Sequence, residues 1–138
     1  MYRVRLVIWD TTAAEKRAGE LQASGYEVDT HPFEGQPSLK EMSADPPAAC
    51  IIDLIRAPSQ GRDVGVAMRH NAGTRHIPLV FIEGDLEQTE RVRALLPDAA
   101  YTSWTRIDRT LKRAIEHPPT DPIVISPEIQ RSSGRPDR

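Results

Sequence analysis

A chain of 138 residues, 38% hydrophobic and 28% charged, has the size and balance of one globular domain that can bury a core without disulfides or metal staples. Its net charge of -2 gives no bulk attraction to nucleic acid or to an anionic membrane, so neither is expected as a partner. The amino terminus enters a short apolar run without a signal-peptide pattern, and no stretch is long and apolar enough to span a bilayer, so a cytoplasmic protein is the expectation.

In chain order, strand and helix signals alternate. Val4, Leu6, Val7 and Ile8 form a β-rich run ending at Trp9-Asp10, and Thr12-Ala13-Ala14-Glu15 predicts a capping-box start for a helix with Ala14, Ala18 and Leu21 inward and Gly25 as its stop. Tyr26-Glu27-Val28 is a short second strand. Ser38-Leu39-Lys40-Glu41 predicts a second capped helix, ended after about two turns by Pro46-Pro47. The runs Ala49 to Ile55 and Ile77 to Ile82 are continuously apolar, as central parallel strands covered on both faces require. Cys50, the single cysteine, lies inside the first of them and reads as a small buried hydrophobe. Between these runs, Gly61 to Arg69 predicts a helix with Val64 and Met68 inward, at some cost from Gly65. Asp85-Leu86-Glu87-Gln88 opens a fourth helix carrying Val92, Leu95 and Leu96 and closed by Pro97. Ala99 to Ser103 is a fifth strand, with Trp104 at its end. Thr105 to Asp108 caps a last helix striped by Ile107, Leu111, Ala114 and Ile115.

Five β-α units of this length predict a flavodoxin-like, doubly wound (βα)5 sandwich with a five-stranded parallel sheet in the order 2-1-3-4-5. The folded domain is expected over 1–117, followed by a Pro/Ser-rich tail over 118–138 with an apolar island at Ile123-Val124-Ile125 and a further apolar residue, Ile129. That tail is either an unstructured terminus or a segment that docks on this subunit or a neighbour.

In such a sheet ligands collect above the carboxyl ends of the strands, and Asp53 closes the third strand there. Asp10, Glu83 and Trp104 end the first, fourth and fifth strands around it. The histidines His31, His70, His76 and His117 are scattered without ligand spacing, so no zinc site is expected. The loop after the first strand lacks a glycine-rich phosphate cradle, which argues against a nucleotide or flavin there.

The order of elements, Asp53 at the end of strand three, Gly61 eight positions later, the run Thr74-Arg75-His76-Ile77-Pro78-Leu79-Val80 and Tyr101 in strand five together resemble the receiver domain of bacterial two-component response regulators, over residues 2 to about 117. The resemblance implies that Asp53 is the phosphoacceptor position, served by a histidine kinase, with Mg²⁺ held by two acids ending strand one. It implies a hydroxyl switch at Glu83, a lysine at Trp104 and a rotating aromatic at Tyr101.

This chain departs from the pattern at most of these positions. The strand-one acids read Ile8-Trp9 or Trp9-Asp10, so at most Asp10 remains as a metal ligand, and Mg²⁺, which wants oxygen ligands, loses charge and gains indole bulk. Glu83 accepts where a hydroxyl would donate, would repel a phosphoryl group, and could share a proton with Asp53. At Trp104 the cation is gone, and Arg106 is the candidate to replace it. Each residue also has a plain account: a helix cap for Asp10, a loop cap for Asp53, a loop acid before Gly84 for Glu83, packing for Trp104. Trp104 is more readily a contact, with Trp9 across the pocket or with a partner.

The reading is therefore a stand-alone, non-enzymatic pseudo-receiver acting by protein-protein interaction, with no confident cofactor. The alternative is a working single-domain response regulator phosphorylated on Asp53 with Mg²⁺. The expected partner is a signalling protein, either a histidine kinase or a downstream target, and a homodimer is compatible with the sequence. By resemblance the partner surface would include Trp104, Arg106 and Leu111.

Overall fold

A computed structural model of the chain describes residues 1–122. The elements alternate along the chain as β1 (Arg3–Val7), α1 (Thr11–Ala23), β2 (Glu27–Asp29), α2 (Gln36–Ala44), β3 (Ala49–Asp53), α3 (Pro58–His70), β4 (Leu79–Ile82), α4 (Leu86–Leu95), β5 (Ala100–Thr102) and α5 (Ile107–Glu116). All strand pairs are parallel, in the order β2-β1-β3-β4-β5. The expected (βα)5 sandwich is therefore the observed one. The apolar island Ile123-Val124-Ile125 and Ile129 lie outside the described residues.

Alternation along the strands divides the core in two. Cys50 and Ile52 of β3 and Leu79 and Phe81 of β4 face Leu39 and Met42 of α2, Val64 and Met68 of α3, and Val92 and Leu95 of α4. Ala49 and Ile51 of β3 and Val80 and Ile82 of β4 face Ala18 and Leu21 of α1 and Ile107 and Leu111 of α5. Asp53 continues the Ala49-Ile51 parity, which directs it toward α1 and α5. That parity decides which helices can furnish the site.

Local starts and stops differ from several sequence expectations. Helix α1 begins at Thr11 because the Asp10 carboxylate accepts from the backbone N–H groups of Thr12 and Ala13, at 3.0 and 3.3 Å; aspartate, not Thr12, is the cap. Helix α2 begins at Gln36, after Gly35 at a φ of 74° and with Pro37 in the first turn. Ser38 is inside it, accepting from the N–H of Glu34. Helix α3 starts three residues before Gly61, at Pro58, whose missing N–H costs nothing in a first turn. Strand β3 stops at Asp53 and β4 starts at Leu79, each shorter than its apolar run. The last helix has no Thr105 cap; a 3-10 turn, Trp104–Arg106, leads directly into α5. The Asp85/Gln88 capping box of α4 forms as expected.

Candidate functional site

Asp53 is 6% exposed at the carboxyl end of β3, beside Ile82 of β4 and one residue beyond the Val7-Ile52 pair. One carboxylate oxygen accepts from the N–H of Ile55 at 2.9 Å, closing the turn above the strand. Desolvation by burial raises its pKa above the ordinary carboxyl range, with Glu83 and Asp10 adding to the rise; the Ile55 hydrogen bond and the positive charge of Arg17 act the other way. Across the turn α3 approaches closely: a Cβ on Gly61 would lie 3.0 Å from the Leu54 side chain and 3.2 Å from the Asp53 carbonyl oxygen. Only glycine fits there comfortably.

The two other carboxylates are committed elsewhere. Asp10 caps α1 and pairs with Arg56, Oδ2 to Nη2 3.2 Å. Glu83 adopts a left-handed backbone, φ 63°, with its own N–H donating to the Thr102 carbonyl at 3.2 Å and its carboxylate accepting from the backbone N–H of Trp104. Asp53 and Glu83, the pair expected to share a proton, each accept from a backbone N–H, of Ile55 and Trp104 respectively. Among the described residues no group of three or more His, Cys, Asp or Glu side chains is arranged to hold a metal ion. Asp10, the acid that ends the first strand, is turned to a helix terminus and to Arg56.

Trp104 is not on β5 but opens the 3-10 turn after it. Its indole N–H donates to the Glu20 carboxylate at 2.5 Å, and the guanidinium carbon of Arg17 lies 4.9 Å from its ring centroid. The polar and cationic partners of its indole are therefore on α1. Trp9 instead lines a groove of about 330 Å³ with Ala14, Pro32 and Phe33. Arg106 is exposed; the cation electrostatically coupled to Asp53 is Arg17. Sequence reasoning missed Arg17 and Glu20. Their one available signal was their place, three apart, flanking the inward Ala14-Ala18-Leu21 stripe.

Tyr101 lies on the other face of the sheet, its hydroxyl donating to the Leu96 carbonyl at 2.7 Å. Leu111 is fully buried between α5 and the sheet, which removes it from any partner surface; its periodic position on α5 is a core position. Trp104 is half-buried and Arg106 exposed, so both stay accessible. Cys50 is fully buried, and desolvation pushes its thiol up to about 12, which leaves it inert as a nucleophile.

The fold, with its five parallel strands, is similar to solved receiver structures over most of this chain. The receiver domain of a signal transduction histidine kinase from Syntrophus aciditrophicus is similar at a TM-score of 0.66 and 19% identity, over 91% of this chain and 99% of that one. This is the receiver-domain fold. The chemotaxis protein CheY4 of Vibrio cholerae matches it at 0.65 and 21% identity, over 82% and 98% of the two chains. The receiver domain of a Pseudomonas aeruginosa sensor histidine kinase, solved with a magnesium ion coordinated in its active-site cleft, matches at 0.64 and 17%, over 83% and 98%. No protein-family profile and no curated protein sequence matches the chain. Asp53 closes β3, and Trp104 opens the turn that follows β5. No helix among the described residues is long and apolar enough to cross a membrane.

Proposed function

We propose that the chain is a receiver-like signalling module of a two-component system that works by protein-protein contact, without taking up a phosphoryl group on Asp53. The observation that carries this reading is the commitment of Glu83 to the Trp104 backbone: a carboxylate and an indole occupy the two places where the resemblance implies a hydroxyl and a lysine. A dianionic phosphoryl group on Asp53 would meet the negative charge of Glu83, and the cation near it would be the Arg17 guanidinium on α1 rather than an ammonium group at the end of β5. A magnesium ion would find Asp10 already engaged by the α1 terminus and Arg56, which speaks against tight metal binding. The partner is a protein of the same signalling class, a kinase or a downstream target. It would be met on the surface that includes Trp104 and Arg106, where aromatic and arginine side chains make effective anchors.

The test uses tryptophan emission. Mg²⁺ is added to the full chain, then beryllofluoride or acetyl phosphate, with Asp53→Asn as control. A flat response with an unchanged circular dichroism spectrum is expected. A saturable response that disappears in Asp53→Asn would establish the working regulator instead.

A further inference from the structure

Three segments far apart in sequence meet at Trp104. The loop after β4 brings the Glu83 carboxylate to its backbone N–H, and α1 brings Glu20 to its indole N–H and Arg17 to its ring face. Strand β5 is only three residues long, so beyond Thr102 the backbone has no sheet partner; the Trp104 N–H opens the following 3-10 turn and needs an acceptor from outside it. A carboxylate suits that place because it also meets the positive end of the turn. Glu83 holds a left-handed φ that side-chain-bearing residues rarely adopt, and such a conformation persists where neighbours over-determine it. Here they do, through its N–H to Thr102 and its carboxylate to Trp104.

Arg17 and Glu20 lie three residues apart on α1, on one face, and both turn to the same indole. The Arg17 Nη1 is buried without a hydrogen-bond partner, so this guanidinium is held by the ring face and by the negative field of the cleft rather than by a fixed acceptor. Trp104 in turn packs against the cluster that contains Ile107 and Leu111, which connects it to α5.

We infer that Glu83, Trp104, Glu20 and Arg17 form a clasp that fixes the loops after β4 and β5 against α1, holding the Trp104 surface in one conformation without a phosphoryl group. The inference rests on the interaction-module reading and says how that module keeps a single state. Glu83 and Glu20 are positioning residues: they act through Trp104.

The test follows Trp104 in the full chain carrying Trp9→Phe. Glu83→Ala is expected to speed hydrogen exchange at the Trp104 backbone amide about tenfold or more relative to amides of β3, with partial rescue in Glu83→Gln, which keeps an acceptor oxygen. Glu20→Ala, at an exposed position, is expected to raise acrylamide quenching of the Trp104 emission about twofold with β3 exchange unchanged. Unchanged exchange and quenching in both variants would overturn the clasp. Should Glu83→Ala not fold, the Glu20 variant decides alone. Beryllofluoride with Mg²⁺ separates the two readings: a response lost in Asp53→Asn overturns the interaction-module reading, and release of the Trp104 amide during that response overturns the clasp as well. A Trp104 amide that stays protected supports it.

Discussion

Phe81 and Tyr101, paired in register on β4 and β5, stack with ring centroids 5.4 Å apart and planes 11° from parallel. The Tyr101 hydroxyl is tied to Leu96, and the guanidinium of Arg93 lies 4.7 Å from its ring centroid. Burial raises the Tyr101 phenol pKa, so it stays a neutral donor. The aromatic that the resemblance casts as a rotating reporter points inward in this structure, with Phe81, the Leu96 carbonyl and Arg93 as its contacts.

That stack leaves α3 little room. A Cβ on Gly65 would come within 2.7 Å of both Phe81 and Leu96, whose side chains are themselves buried. Gly65→Ala is expected to destabilise the fold by about 1–2 kcal/mol despite alanine's better helix propensity, because overpacking outweighs it. Gly19, in the middle of α1 with open space around it, provides the contrast: Gly19→Ala should stabilise by about 0.5–1 kcal/mol. Urea unfolding of the two variants checks the opposite signs.

Asp53 makes stability depend on pH in a definite direction. Because burial makes its carboxyl harder to ionise in the folded state, the folded state holds that proton at pH values where the unfolded chain has released it. The group's contribution therefore worsens as pH rises from the ordinary carboxyl value through the raised folded one, and the penalty is complete above both. Asp53→Asn retains an oxygen for the Ile55 N–H and removes the buried charge, so it should be more stable than the parent by about 1 kcal/mol near neutrality. The difference should shrink toward zero near about pH 4. Urea midpoints at both pH values would settle it, and a gain independent of pH would refute the assignment.

Arg5 carries the other end of the sheet. It is 2% exposed, donates from Nε to the His31 carbonyl at 3.1 Å and from Nη2 to the Pro32 carbonyl at 3.2 Å, and meets Glu41 at 3.0 Å and Asp29 at 3.5 Å through Nη1. Arg5→Leu should cost about 2–4 kcal/mol, since it strands two carbonyls and unpairs two acids. Arg5→Lys should recover part of that but not all, because an ammonium cannot reproduce the planar fork. Denaturation midpoints of the two variants measure the ranking.

The sequence alone determined the architecture of this protein. Two continuous apolar runs announced central parallel strands, helical stripes such as Ala14-Ala18-Leu21 and Val92-Leu95 announced the covering layers, and both follow from periodicities that a local stretch of chain carries by itself. It also placed Asp53 at the strand end and marked Glu83 and Trp104 as departures. Helix starts were less legible at Asp10, Gly35 and Trp104, where several neighbouring residues offered competing caps and the backbone of adjoining segments chose among them. Tertiary structure alone decided what those departures do. Glu20 is exposed and Arg17 half-buried on α1, and nothing local ties them to a tryptophan more than eighty residues later. The parity of β3 faces Asp53 toward α1, the shortness of β5 frees the Trp104 N–H, and pairing of β4 with β5 brings Glu83 within reach of it. A spacing rule reads contacts along one element, whereas contacts between elements depend on which faces the packed sheet sets opposite each other.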